Sequence, residues 1–252
     1  MVKACVKPGI VIFSTLMDGY LVNQVQSAKH IFNVMTQIGV TPNVYSYTIM
    51  INGLCKSKRV DEAMNLFQKM HKRNMIPDTV TYTTLIDGLC KSGRIADVWD
   101  LIDEMHDRNQ QLNVITYNCL VHAFCKNYHL DQTFELFKTM MEKGILPNMY
   151  IWNTLIDGMC RGGRLEEAQE TFQELLIKGY PLNECSYNIM INGLCKKGLL
   201  DEALTLWAKM EDNGCLPNAV TFKIMIRTFF GKDEDDKAET FLHEMIFRGL
   251  LM

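Results

Sequence analysis

Tyr82-Thr83-Thr84-Leu85 comes back as Tyr117-Asn118-Cys119-Leu120, then as Trp152-Asn153-Thr154-Leu155, Tyr187-Asn188-Ile189-Met190 and Phe222-Lys223-Ile224-Met225. Upstream the same frame reads Tyr47-Thr48-Ile49-Met50, and every step is 35 residues. The same step carries Met35, Met70, Met105, Met140, Leu175, Met210 and Met245, and also Cys55, Cys90, Cys125, Cys160 and Cys195. A fixed period of about 20–50 residues is the mark of a solenoid or array of small supersecondary units. Length alone would favour one or two globular domains, and the period overrides that.

Working outward, the chain divides into windows 10–43, 44–78, 79–113, 114–148, 149–183, 184–218 and 219–252. The first is a residue short, with Asn23-Gln24-Val25 where the next has Ser57-Lys58-Arg59-Val60, and the last also stops one residue short. Residues 1–9 read as the tail of a preceding repeat, because Met1 precedes Pro8 as Met70 precedes Pro77. Met1 is therefore expected to be an internal position of a longer parent, or the array begins abruptly.

Each window reads as two helices. Tyr47, Met50, Ile51 and Leu54 fall at i, i+3, i+4 and i+7, one face of a first helix. Val60, Ala63, Met64, Phe67 and Met70 form the apolar face of a second. Asp61 and Glu62 open that helix at the positive end of its dipole. Pro77 closes it, and Gly39, Gly144, Gly179 and Gly214 stand near the same place in other windows. Gly53, Gly88, Gly158 and Gly193 sit mid-helix at about 1 kcal/mol each. The expected reason is close approach of the two helices of one hairpin, with Ala63, Ala168, Ala203 and Ala238 as small partners on the second. One hairpin cannot bury its apolar stripe alone, and stacked copies can. The expected fold is all-α: a right-handed superhelical α-solenoid of helix-turn-helix hairpins with a concave inner surface.

The net charge is −3, a weak argument against a nucleic-acid partner, since the placement of charge matters more than its total. No apolar run approaches the roughly 18 residues of a membrane span, and the start carries no secretory pattern. Five of the nine cysteines are one repeat position seen five times, and no C-x-x-C pair occurs. They read as small core residues in a reducing compartment, not as metal ligands. No cofactor, metal or small-molecule substrate is expected. Nothing resembles a nucleophile with its base, a phosphate loop or a paired-carboxylate site, so the chain is not expected to be an enzyme.

Four further positions recur. The fifth residue of each window is polar: Ser14, Thr48, Thr83, Asn118, Asn153, Asn188 and Lys223. Ser, Thr and Asn are mediocre inside helices, so stability alone does not explain them. The last residue is Asn43, Asp78, Asn113, Asn148, Asn183 or Asn218, which also suits an N-cap. The second is mostly bulky and apolar: Val11, Tyr45, Val80, Ile115, Tyr150, Cys185 and Val220. Bases stack on such surfaces and need hydrogen-bond partners at their edges. A cation follows the recurring cysteine, at Lys56, Lys91, Lys126, Arg161 and Lys196. It answers either to a phosphate or to the negative end of its own helix.

The run Val80-Thr81-Tyr82-Thr83-Thr84-Leu85-Ile86-Asp87-Gly88-Leu89-Cys90-Lys91-Ser92-Gly93-Arg94 closely resembles the signature of pentatricopeptide repeats. Asp61-Glu62-Ala63, Leu66-Phe67, Met70 and Pro77-Asp78 complete the motif. The likeness spans nearly the whole chain and is to the pure 35-residue class of land plants, including the restorer-of-fertility-like group. It implies binding of single-stranded RNA in mitochondria, or alternatively chloroplasts, for transcript stabilisation, processing or translation control. It further implies that fifth and last residues jointly choose one base, that second residues sandwich it, and that repeats run parallel to the RNA. On that code Ser14 with Asn43 implies A, Thr48 with Asp78 implies G, and Thr83 with Asn113 implies A. Asn118 with Asn148, Asn153 with Asn183 and Asn188 with Asn218 imply pyrimidines, C before U, for a target 5′-AGAYYY-3′.

Departures from the pattern are Lys223, which has no partner in the chain, the short first window, and tyrosine at 45 and 150. The editing members of the family carry H-x-E and C-x-x-C in a deaminase, and neither motif occurs. The alternative is a protein-binding scaffold of tetratricopeptide type, which uses a 34-residue period and another signature. Uncapped first and last hairpins make self-association an expectation.

Overall fold

The computed structural model describes residues 8–21 and 24–250 of the 252-residue chain. The expected repeat tail at 1–9 therefore lies outside the described residues except for Pro8 and Gly9, as does Asn23 of the short first turn. Among the described residues there are fourteen α-helices and no strand. None is long and apolar enough to cross a membrane. The chain falls into two compact units, Met1–Ala123 and Phe124–Met252, divided within the seventh helix.

In the first unit the hairpins are α1 (Ile10–Leu21) with α2 (Val25–Gln37), α3 (Val44–Lys56) with α4 (Val60–Lys72), and α5 (Thr79–Lys91) with α6 (Ile95–Asp107), followed by most of α7 (Val114–Lys126). The second unit continues with α8 (Leu130–Glu142), α9 (Met149–Arg161), α10 (Leu165–Ile177), α11 (Glu184–Lys197), α12 (Leu200–Asp212), α13 (Ala219–Phe230) and α14 (Asp235–Phe247). Within each unit first helices pack on first helices: α1 on α3 and α3 on α5, then α9 on α11 and α11 on α13.

The ends of the helices follow from local chemistry. First helices from α3 onward start at a side-chain cap, as where Asp78 accepts from the Thr81 amide at 2.8 Å. Second helices lack a side-chain cap and, from α4 onward, use carboxylates in the first turn instead, such as Asp61 and Glu62 in α4 or Glu166 and Glu167 in α10. Two left-handed residues punctuate each repeat after the first, which has one among the described residues. After the second helix they are Gly39, Asn74, Asn109, Gly144, Gly179, Gly214 and Gly249, and within the hairpin Lys58, Gly93, Tyr128, Gly163, Gly198 and Asp233. Tyr128 holds that conformation at φ 61°, where a bulky side chain is strained.

The recurring aromatic is the hinge of the core. Tyr47, Tyr82, Tyr117, Tyr187 and Phe222 are fully buried. Each contact below is edge-to-face with a ring from the second helix of the preceding hairpin: Phe32 to Tyr47 at 5.2 Å, Phe67 to Tyr82 at 5.3 Å, Phe137 to Trp152 at 4.8 Å, Phe172 to Tyr187 at 5.3 Å and Trp207 to Phe222 at 4.8 Å. Burial pushes the thiols of Cys55, Cys90 and Cys119 up to about 12 and those of Cys125 and Cys160 up to about 11, which keeps them protonated and inert.

The mid-helix glycines have a different partner from the one expected. A Cβ on Gly88 would overlap the side chain of Cys55; on Gly158 it would lie 2.7 Å from Cys125 Sγ, and on Gly193 2.6 Å from Cys160 Sγ. The close approach is thus between first helices of successive hairpins, not between the two helices of one hairpin. Ala63, Ala168, Ala203 and Ala238 are buried core residues but not the atoms nearest these glycines. Gly19, at the same place in α1, meets nothing within 4 Å. We expect Gly88→Ala to lower stability by about 1–2 kcal/mol in urea titration, overpacking outweighing the gain in helix propensity. Gly19→Ala should instead raise it by about 0.5–1 kcal/mol.

Candidate functional site

The first turn of each first helix carries the second-position residues, and the fold leaves them in solvent. Val11, Tyr45, Val80, Ile115, Tyr150 and Val220 are between 52% and 73% exposed, and Cys185 is exposed too. Scattered surface apolars need no explanation. A large apolar side chain exposed at the same position of successive repeats within a unit is a set, and sets of this kind serve as contact surfaces.

One turn further in, the fifth position is nearly enclosed. Ser14, Thr48, Thr83, Asn153 and Asn188 are buried, Asn118 is half-buried, and Lys223 is exposed. The last-position residues are helix caps. Asn43, Asp78, Asn113, Asn148, Asn183 and Asn218 each accept, through Oδ1, from the backbone amide three residues on, at 2.8–3.2 Å. This leaves Oδ2 of Asp78, or Nδ2 of the asparagines, for other contacts.

A third residue ties these two positions together, and the sequence reading missed it. Ser46, Thr81, Thr116, Ser186 and Thr221 stand third in their windows, with Ile151 the departure among windows after the first. All five are fully buried. Their hydroxyls donate to Oδ1 of the cap, as Thr81 to Asp78 at 2.8 Å, Ser46 to Asn43 at 3.0 Å and Thr116 to Asn113 at 3.1 Å. In the second, third and fourth windows the same hydroxyl meets the fifth residue of the preceding hairpin: Ser14 to Ser46 at 3.2 Å, Thr48 to Thr81 at 2.6 Å and Thr83 to Thr116 at 2.8 Å. A recurring small hydroxyl two residues before the fifth position was the available signal.

Hydrogen counting fixes what the threonines can offer. Thr48 Oγ1 lies 2.9 Å from the Val44 carbonyl and 2.6 Å from Thr81 Oγ1, whose own hydrogen goes to Asp78. Whichever oxygen takes it, the single Thr48 hydrogen is used inside the protein, so Thr48 presents only a lone pair. Thr83 is held likewise by the Thr79 carbonyl at 2.7 Å and by Thr116. The asparagines differ. The Oδ1 atoms of Asn118, Asn153 and Asn188 are buried and find no hydrogen-bond partner among the described residues. Asn188 Nδ2 leans toward Asn218 Oδ1 at 3.4 Å. An unmet buried acceptor costs about 1–3 kcal/mol, and a functional contact is one standard explanation for it.

The recurring cations are at the other end of the first helix, eleven residues or about 16 Å along the axis from the second position. They are not equivalent. Lys91 pairs with Asp87 at 2.5 Å and Arg161 with Asp157 at 2.6 Å, one turn back. Lys56, Lys126 and Lys196 make no ion pair among the described residues. Among those residues no group of histidine, cysteine or carboxylate side chains is placed to hold a metal.

A family model described as the MSC6 N-terminal domain matches residues 56–209, and PPR repeat models match 38–71 and 220–250. No curated protein matches the chain in sequence. Among solved structures, the pentatricopeptide repeat protein PPR10 from maize is 20% identical with a TM-score of 0.71, over 96% of this chain and 39% of that one. PPR10 in complex with an 18-nt psaJ RNA element is 21% identical with a TM-score of 0.65, over 98% and 41%. The PPR domain of Arabidopsis thaliana protein-only RNase P 1 in complex with tRNA is 14% identical with a TM-score of 0.62, over 73% and 97%. At these identities the likeness is one of fold, and the chain spans about two fifths of the PPR10 chain.

Cys185 is the exposed thiol among the eight described cysteines. Iodoacetamide should modify it ahead of Cys90, Cys125 and Cys195 in peptide mapping. A ligand seated on the second-position row should slow that reaction in step with the fraction bound.

Proposed function

The chain belongs to the pentatricopeptide repeat family, and from that premise we propose that it binds single-stranded RNA one base per repeat, with 5′-AGAYYY-3′ as its target. The observation that carries this reading is the pairing, on one helical turn of a repeat, of a buried acceptor that has no partner among the described residues with an exposed second-position side chain, as at Asn118 with Ile115. A base laid flat against Tyr45 or Val80 would bring its edge to the fifth and last residues of the repeat.

The hydrogen-bond polarity supports the base assignments. Thr48 offers a lone pair and Asp78 is acceptor-only, so this pair suits guanine, whose N1 and N2 both donate. Thr83 offers a lone pair while Asn113, its Oδ1 occupied by the cap, offers an N–H. That combination suits adenine, with a donor at N6 and an acceptor at N1. Asn188 with Asn218 offers the same two signs from a longer fifth side chain, which suits the smaller cytosine. Side-chain length thus separates purine from pyrimidine, and the last residue separates amino from keto bases.

The mechanism is occupancy without chemistry: bound RNA is shielded from exonucleases or kept from pairing with itself. We assign the protein to the pure 35-residue, restorer-of-fertility-like class of plants and to mitochondria, with chloroplasts the alternative. Its role there is in transcript stabilisation, processing or translation.

A gel shift with an AGACCC-containing RNA against a scrambled one, repeated across salt, tests the function. Each neutralised phosphate contributes about −0.7 to the slope of log affinity on log salt. Five engaged cations would give about −3.5, whereas Lys56, Lys126 and Lys196 acting alone give about −2, the value we expect. No sequence preference together with a flat salt response would sink the proposal. The register is tested separately: Thr48→Asn with Asp78 kept should move the second base from G toward U. An unchanged second base, with the others still selected, would show the assignment to be out of frame.

A further inference from the structure

We propose that the third-position hydroxyl is a specificity-determining residue of the preceding repeat, so that purine selection is made by three side chains on two hairpins. This rests on the base-reading function above. Thr81 lies on α5, yet its hydroxyl bridges Thr48 on α3, at 2.6 Å, to Asp78, at 2.8 Å. Ser46 bridges Ser14 and Asn43, at 3.2 and 3.0 Å, and Thr116 bridges Thr83 and Asn113, at 2.8 and 3.1 Å. The bridge occurs in the repeats assigned to A, G and A. It is absent where Asn153 or Asn188 stands fifth. There the third hydroxyl serves the cap: Ser186 donates to Asn183 Oδ1 and accepts from its amide at 3.4 Å, and Thr221 accepts from the Asn218 amide at 2.9 Å.

The bridge does two things. It draws the short fifth side chain back against the next hairpin, which leaves depth for a two-ring base. It also occupies Oδ1 of the last residue, which fixes the atom that faces the ligand: Oδ2 of Asp78, or Nδ2 of Asn113. A fully satisfied buried network of this kind holds one arrangement, and breaking one member loosens the rest. Thr81 acts through Thr48 and Asp78 and is a positioning residue with no base contact of its own.

The test compares Thr81→Val, Thr81→Ser and Thr48→Asn in the whole chain, with short RNAs varied at each of the six bases. Thr81→Val keeps the backbone amide that caps onto Asp78 and removes the hydroxyl. It should cut discrimination for G at the second base about ten-fold while selection at the other five bases holds. Thr81→Ser should restore it. If Thr81→Val leaves the second base as selective as before while Thr48→Asn changes it, the relay is wrong and the base reading stands. If neither changes it, the base reading itself has failed. A uniform loss at all six bases, or loss not rescued by serine, marks Thr81 as merely structural and overturns the proposal. Should Thr81→Val not fold, Thr116→Val at the third base is read in the same way.

Discussion

At three joints a first helix meets the one before it where a glycine faces a cysteine, and this close contact sets the spacing there; Ala123 and Thr228 stand at that place in α7 and α13. Gly88 on Cys55, Gly158 on Cys125 and Gly193 on Cys160 admit no further carbon atom. The edge-to-face contacts of Tyr82 with Phe67, Trp152 with Phe137 and Tyr187 with Phe172 fix the other side of the same three joints. Interiors are close-packed and yield little, so a joint this tight allows one distance between neighbours. Neighbouring repeats joined in this way hold their equivalent residues at a close, fixed step, which is a condition for presenting a ladder of side chains to a polymer.

The last residue of the repeat resolves an apparent competition. Its capping role and the base-choosing role proposed for it use different atoms. Oδ1 of Asp78 holds the first turn of α5, and Oδ2 is left over. The same division in Asn113 and Asn183 leaves an amide nitrogen. A residue type chosen to start a helix therefore carries a second choice, acid or amide, that costs the helix nothing. That freedom makes the position suited to carrying information.

Much of this was legible in the sequence, and the failures share a cause. Periodicity gave the hairpins, the buried tyrosines, the inert cysteines and the exposed row at Tyr45, Val80 and Ile115, because these depend only on which face of a helix a residue occupies. It did not reveal which copy a residue faces. Gly88 was therefore matched to the wrong helix, and Thr81 was passed over although its partner is on the preceding hairpin. A repeat seen in sequence looks self-contained, whereas a stacked one makes its most specific contacts with its neighbour. The pairing of Lys91 and Arg161 with carboxylates one turn back lay within a single helix and was there to be seen at i and i−4.

The hydroxyl bridges also bear on how such arrays could be recombined. A cut at the window edge, between Asp78 and Thr79, separates Thr48 and Asp78 from the Thr81 that joins them. Cassettes exchanged at that seam would inherit the neighbour's third residue, serine, threonine or isoleucine as chance has it. Splicing inside the first helix, beyond its third residue, would move the whole triad as one piece.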